Sequence, residues 1–262
     1  MDTARVTDHI THWLKAYCLE NRQQGFVIGI SGGIDSAVTS ALCARTGLPL
    51  LCVEMPIHQA ANQVSRGQEH IGWLKERHPL VGNAVVDLTT TFDTMVAALP
   101  TNANTEVIEL ARANTRARLR MTALYYLAGL HGYLVAGTGN KVEDFGVGFF
   151  TKYGDGGVDL SPISDLTKTE VYELAKELGV VQSIQVAAPT DGLFGDSRTD
   201  ADQIGATYPE LEWAMALREK KSSGTSLTPR QTEVLAIFDR RHAANRHKMV
   251  PIPVCTIPAE YR

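Results

Sequence analysis

The hydrophobic pattern changes period several times along the chain, and each change predicts an element. Over Thr3–Asn21 the apolar positions Ile10, Trp13, Leu14 and Tyr17 recur three and four residues apart, which gives a helix one apolar face. Phe26–Ile30 is instead a continuous apolar run with β-branched members, as in a buried strand. Helix is predicted over Ser36–Arg45, strand over Leu48–Met55 up to Pro56, helix over Gln63–Arg77 and strand over Asn83–Val86. Leu88–Leu99 reads as a helix stopped by Pro100, and Glu106–Leu130 as a long helix closed by His131-Gly132. A fourth strand, Tyr133–Ala136, ends in Gly137-Thr138-Gly139; Lys168–Leu178 is a helix with Gly179 beyond it. The remainder reads as helical or irregular. Strands and helices alternate at βαβ spacing, so the expected class is α/β, a parallel sheet with helices on both faces. Ligands of such sheets sit beyond the carboxyl ends of the strands. The glycine-rich ends at Ser31 and Gly137 therefore mark one site.

Composition narrows the function classes. The 262 residues carry 29 acidic and 25 basic side chains, a net charge of -4, so no general attraction to nucleic acid or to an anionic membrane is expected. No apolar stretch approaches the ~18 residues of a membrane span, and the polar segment Met1–Leu14 is no signal peptide. Cys18, Cys43, Cys52 and Cys255 form no CxxC pair and read as reduced thiols of a cytoplasmic protein. The histidines show no HExxH, so a structural zinc site is not expected. No internal repeat or low-complexity linker is present.

The candidate chemistry begins at Gly29-Ile30-Ser31-Gly32-Gly33-Ile34-Asp35-Ser36. Gly32 and Gly33 let backbone N–H groups approach an anion, and the next helix turns its N-terminus toward the same point. Ser31 and Ser36 add hydroxyl donors. Asp35 would repel phosphates unless a Mg²⁺ lies between them; the plainer alternative is a strand–helix turn with Asp35 as its cap. Walker A spacing fails because no lysine follows Gly33, and Gly137-Thr138-Gly139 has Val142 where a dinucleotide fingerprint needs its third glycine. The glycine density of Gly137–Asp159 predicts a loop without regular structure. Its charges, Glu143, Asp144, Lys152, Asp155 and Asp159, are too many to bury unpaired. Arg112, Arg116 and Arg120 are spaced four apart, which reads as a solvated helical face, with Arg118 pointing elsewhere.

The first segment matches SGGxDS, the pyrophosphate loop of the ATP-pyrophosphatase superfamily. The second, Gly137-Thr138-Gly139-Asn140-Lys141-Val142-Glu143 followed by Gly148–Asp159, Ser161-Pro162-Ile163 and Leu166-Thr167-Lys168, resembles the ammonia-dependent NAD synthetase family. The resemblance runs from about Phe26 to His247-Lys248-Met249. It implies an adenine-nucleotide α-hydrolase-like, Rossmann-like fold and the conversion of deamido-NAD, ATP and ammonia to NAD, AMP and pyrophosphate through an acyl-adenylate. Carried over by position, it implies that Gly29, Ile30, Ser31, Gly32, Gly33, Ile34, Asp35 and Ser36 hold ATP together with Thr138, Lys168 and Thr190. Asp35 and Glu143 would bind Mg²⁺, and Arg118, Lys152, Asp159, His247 and Lys248 would contact deamido-NAD. Asp155 would position or deprotonate ammonia, with Lys168 as its catalytic companion on the phosphates. The family also implies a homodimer with the dinucleotide site at the subunit interface.

Two departures stand out: the interval from Glu143 to Lys152 is one residue longer than in many relatives, and Asp191 replaces the usual alanine of the Pro189–Leu193 segment. Gly195–Gly205, polar and bounded by glycines, reads as a lid. The chain reads as a single domain over residues 1–262 with no glutaminase domain, so ammonia would come free or from a separate supplying protein. Two other readings stay open: another pyrophosphate-loop ligase such as a tRNA modifier, against which the missing basic bias and CxxC count, and a nucleotide sensor without turnover.

Overall fold

The structure is a computed structural model that describes residues 1–59, 61–190, 199–220 and 226–262. Four short strands, β1 Gly25–Gly29, β2 Leu50–Glu54, β3 Val81–Val85 and β4 Tyr133–Val135, form a parallel sheet in the order β3-β2-β1-β4. Register pairs Ile28 with Cys52 across β1 and β2, and Phe26 with Leu134 across β1 and β4. Side chains of β1 alternate as a two-residue period demands. Phe26 and Ile28 face a core built with α1 Thr3–Glu20, α2 Ile34–Arg45, α3 Ala61–Arg77 and α6 Lys168–Leu178. Val27 faces the opposite side, where Ala128 and its neighbours on α5 Thr105–His131 cover the sheet; α4 Thr89–Ala98 precedes α5, and α7 Gln182–Gln185 follows α6. Phe26 has no exposed surface, so Phe26→Ala would cost about 3–5 kcal/mol. The expected parallel sheet between two helical layers is what the chain forms.

Connections from β1 run through β2 to β3 on one side, while β4 lies on the other side of β1. The chain direction across the sheet thus reverses between β1 and β4, and a crevice opens there beyond the strand ends. Both glycine-rich segments leave the sheet at this point. Ala136 makes one further parallel bridge to Leu160, so the excursion from Gly137 returns to the edge where it began.

A second, all-helical core lies beside the crevice. It joins α8 Asp200–Ile204, α9 Tyr208–Glu219 and α10 Pro229–Met249 to residues Val142–Val147. Two expectations need correction here. Gly137–Asp159 is not wholly irregular, because Val142–Val147 is a π-helical turn. Asn140 Oδ1 accepts the N–H groups of Val142 and Glu143 at 3.1 and 3.2 Å and starts the turn; Gly148, at φ +63°, ends it. The proposed lid Gly195–Gly205 ends in regular structure, since Asp200–Ile204 is α8. Its residues 195–198, like Asp191, lie outside the described residues. Cys18, Cys43 and Cys52 are buried and Cys255 is exposed, all as free thiols. No described helix is long and apolar enough to cross a membrane.

Candidate active site

The turn from β1 into α2 is shaped by Gly32, whose φ of +78° suits a residue without a Cβ. Gly33 follows as the N-cap of α2 and offers no side chain to the first N–H groups of the helix. The hydroxyls organise the turn internally. Ser31 Oγ and Ser36 Oγ lie 3.1 Å apart, Ser36 Oγ donates to Gly33 O at 3.0 Å, and Gly33 N donates to Ser31 Oγ at 3.2 Å. Asp35 sits in the first turn of α2 but does not cap it. Its carboxylate points across the crevice, accepting from Lys168 Nζ at 2.6 Å and Asn140 Nδ2 at 3.2 Å.

Lys168 is the hub of the site. Its ammonium donates to Asp35 at 2.6 Å and to Glu143 Oε1 at 3.0 Å, and only 4% of the side chain is exposed. It is also the first residue of α6, after the capping box of Thr167 and Glu170. A cation at a helix N-terminus opposes the helix dipole, so local preference argues against lysine there. The carboxylates reverse that cost. Burial alone would depress the ammonium; Asp35, then Glu143, then Asp200 overcome it and hold Lys168 protonated. The Tyr208 hydroxyl closes the cluster, reaching Glu143 Oε1 and, at 2.8 Å, Asp200 Oδ2.

A cavity of about 310 Å³ opens over these groups. Every residue expected on ATP lines it: the segment from Gly29 to Ser36, Thr138, Lys168 and Thr190. Glu143 and Asp155 line it too. Asp155 keeps exposed surface but is crowded by protein, and that crowding raises its carboxyl to about 6 despite an N–H bond from Thr151 at 2.9 Å. None of the five residues expected on the dinucleotide lines this cavity. Three of them meet outside it: Arg118 Nε donates to Lys152 O at 3.3 Å, and Lys152 Nζ donates to His247 O at 2.9 Å. Asp159 accepts from Val135 N and Tyr125 Oη, and Lys248 Nζ turns to the carbonyls of Gly148 and Phe150. The arginine stripe is not simply solvated. Arg116 lies over the Phe92 ring, and Arg120 lines the cavity with bonds to Met55 O at 3.0 Å and Gln59 Oε1 at 2.8 Å.

Comparison with known proteins gives the family. The NAD synthase family model matches residues 6–251. The chain belongs to the NAD synthase family. It is 35% identical over 264 residues to the NH(3)-dependent NAD(+) synthetase of Syntrophomonas wolfei, covering 100% of both chains. It is 37% identical over 212 residues to the enzyme of the same name from Carboxydothermus hydrogenoformans, covering 79% of this chain and 82% of that one. Among solved structures, the NMN synthetase of Francisella tularensis superposes with a TM-score of 0.84 at 29% identity, covering 99% of each chain.

Placed within this family, the cluster can be tested for a fit to Mg²⁺. Among the described residues no three His, Cys, Asp or Glu side chains converge tightly enough to hold an ion alone. Mg²⁺ is commonly held by one or two carboxylates together with substrate phosphates, and Asp35 and Glu143 provide two at one point. The charge also fits. Asp35, Glu143 and Asp200 surround a single ammonium, an excess of negative charge suited to a hard divalent cation. Asn140, Asp200 and Tyr208 had no assigned role in the sequence. For Tyr208 and Asp200 the available signal was positional: each directly follows a threonine that opens a helix.

Proposed function

We propose that the chain is an ammonia-dependent NAD synthetase that adenylates the nicotinate carboxylate of deamido-NAD and then amidates it. The observation that carries this reading is the convergence of Asp35, Glu143 and Lys168 beneath the uncapped start of α2. A carboxylate is a poor acyl donor; attack of its oxygen on the α-phosphorus of ATP breaks the bond to the β-phosphate, releases pyrophosphate and leaves AMP on the acyl group, from which ammonia then displaces it. The N–H groups of the first turn of α2 hold the phosphates, and Lys168 places a fixed positive charge on the pyrophosphate as it departs. Asp35 and Glu143 would hold Mg²⁺, which would supply neutralisation of phosphate charge. Asp155 lines the same cavity and positions ammonia for attack on the acyl-adenylate, accepting a proton when it is ionised. Alignment of reactants in one cavity supplies much of the rate.

Arg118, Lys152, Asp159, His247 and Lys248 lie outside the ATP cavity, so the dinucleotide extends over the adjoining surface. A second copy of the chain completes that surface in the proposed homodimer. The protein works in the cytoplasm with free ammonia or with a separate supplying protein. A sensor without turnover has no use for a second carboxylate and a lysine at the phosphates.

Because the similar Francisella chain is an NMN synthetase, a mononucleotide product is the second reading. One experiment separates these. Purified protein is mixed with ATP, Mg²⁺ and ammonium, and with deamido-NAD or the corresponding deamidated mononucleotide. Release of pyrophosphate and formation of NAD from the dinucleotide are expected, with glutamine a poor substitute for ammonium. Faster turnover of the mononucleotide would reassign the substrate, and no pyrophosphate with either would overturn the reading.

A further inference from the structure

Three helix starts converge on the phosphate cluster, and each is fixed by the same device. Thr167, Thr199 and Thr207 are the N-cap residues of α6, α8 and α9. Their backbone N–H groups donate to Glu170, Asp202 and Glu210, each at 2.8 Å. The residue after each threonine is Lys168, Asp200 or Tyr208. A capping box restricts the first turn of a helix, so these three side chains leave from well-defined backbone positions. The α6 and α9 starts are also tied together, since Glu212 of α9 accepts from Thr169 N at 2.8 Å and Thr169 Oγ1 at 2.7 Å. Glu210 is anchored in turn by Arg230 of α10 at 2.7 and 2.9 Å.

Tyr208 touches both Glu143 and Lys168. Its hydroxyl bonds Glu143 Oε1, the oxygen that also takes the Lys168 ammonium. Its ring lies under that ammonium, with Nζ 4.6 Å from the ring centroid. The residue is 8% exposed, so its placement is set by packing in the helical core and not by solvent. We propose that Tyr208 is a positioning residue for ATP and metal binding: the hydroxyl aims Glu143, and the ring carries the Lys168 ammonium. The proposal rests on the enzymatic reading above for its purpose but not for its geometry. Tyr208 takes no part in bond making. It acts through Glu143, on the π-helical turn, and Lys168, at the start of α6. Groups that orient metal ligands in this way typically change metal affinity or activity by about 10–100-fold when removed.

Two variants separate the hydroxyl from the ring. Tyr208→Phe keeps the ring and the packing; Tyr208→Leu removes both. The probes are Mn²⁺, followed by its electron paramagnetic resonance signal, and a non-hydrolysable α,β-methylene analogue of ATP. For Tyr208→Phe, Mn²⁺ binding in the presence of the analogue should weaken by about tenfold or more. Analogue binding without metal should be unchanged, and the melting temperature should stay close to that of the wild type. Tyr208→Leu should lose Mn²⁺ affinity and also bind the analogue more weakly without metal, because Lys168 is no longer supported. Tyr208→Phe with wild-type Mn²⁺ affinity would overturn the proposal, and so would a lower melting temperature with Mn²⁺ affinity unchanged. The readout is binding and not turnover. Wild-type protein that binds Mn²⁺ and the analogue but releases no pyrophosphate from ATP would sink the synthetase reading alone.

Discussion

The phosphate end and the substrate end of the crevice are both glycine-rich, but they are held in different ways. At the phosphate end a buried charge meets half-buried ones: Lys168 joins Asp35 and Glu143 across three separate elements. At the substrate end, α10 grips backbone. His242 Nδ1 bonds Gly146 O at 2.8 Å, Asn245 Nδ2 donates to Val147 O at 2.9 Å, and Lys248 Nζ donates to Gly148 O and Phe150 O. The first arrangement fixes residue identity, because a buried charge tolerates few replacements for its partner. The second asks only for a donor of the right reach. Sharp residue requirements at one end and looser ones at the other follow from that difference.

The comparison breaks most directly at Asp35. Three carboxylates surround one ammonium, so losing one of them should cost little stability while removing a metal and phosphate contact. Asp35→Ala should lower pyrophosphate release by roughly 10³-fold or more with the melting temperature nearly unchanged. Near-normal pyrophosphate release would show that the β1–α2 turn is not the phosphate site.

Lys168 has the opposite balance. Its removal leaves Asp35 and Glu143 facing each other across a largely buried space without a cation. Breaking a buried pair in this way costs about 3–5 kcal/mol. Lys168→Met should therefore lose roughly 3 kcal/mol of folding free energy in urea denaturation. Added Mg²⁺ should recover part of that loss. An equally stable variant would mean that the cluster is solvated and that its charges are screened.

Arg118 tests the other end. It is exposed, and its Nε donates to the carbonyl of Lys152. Arg118→Ala should leave stability unchanged, raise the KM for deamido-NAD about tenfold and leave the KM for ATP alone. Equal changes in both KM values would place Arg118 in the general structure of the crevice and not on the dinucleotide.

These contrasts also explain what could be read from the chain before its structure. The strands were legible because β1 is buried on both faces and shows it as the unbroken run Phe26–Ile30. The phosphate turn was legible because glycines, hydroxyls and an acid coincide directly after that strand. Even the placement of Lys168 at α6 was correct, although the helix dipole disfavours it; only tertiary carboxylates explain it. The π-helical turn was not legible, because it is begun by the Asn140 side chain and held by α10, far away in sequence. The close approach of Asp144 to Gly139, where a Cβ would come within 2.2 Å of the carboxylate, likewise exists only in the folded chain. Arg120 was misread for a related reason. Helical spacing gives the face but not what faces it, and here that is the cavity. Tyr208 carried no charge pattern or motif to mark it, only its position after a helix-opening threonine.

The smallest expected effect concerns pH and sits where the two ends meet. Asp155 lines the ATP cavity yet belongs to the substrate segment, and its carboxyl is raised from 3.8 to about 6. Crowding by protein is the main cause, opposed by N–H bonds from Thr151 and its own backbone, with repulsion from Glu143 and attraction from Lys248. A carboxyl raised in the folded state keeps its proton over a range in which the unfolded chain has lost it. Its contribution to stability is therefore full below 3.8 and falls as pH rises to about 6. Asp144, raised to about 7 mainly by burial, adds a similar fall at higher pH. Asp155→Asn should match the wild type in melting temperature near the acid end of this window. Above it the variant should melt about 2 °C higher, because the carboxyl is partly open to solvent and its effect is screened. In the reaction, the same variant should still release pyrophosphate but form NAD more slowly. At a fixed concentration of unprotonated ammonia, the rise in NAD formation through pH 6 that ionisation of Asp155 gives the wild type should also be lost. A variant that keeps that rise would assign the proton-accepting role elsewhere and leave Asp155 as a support for the turn at Thr151.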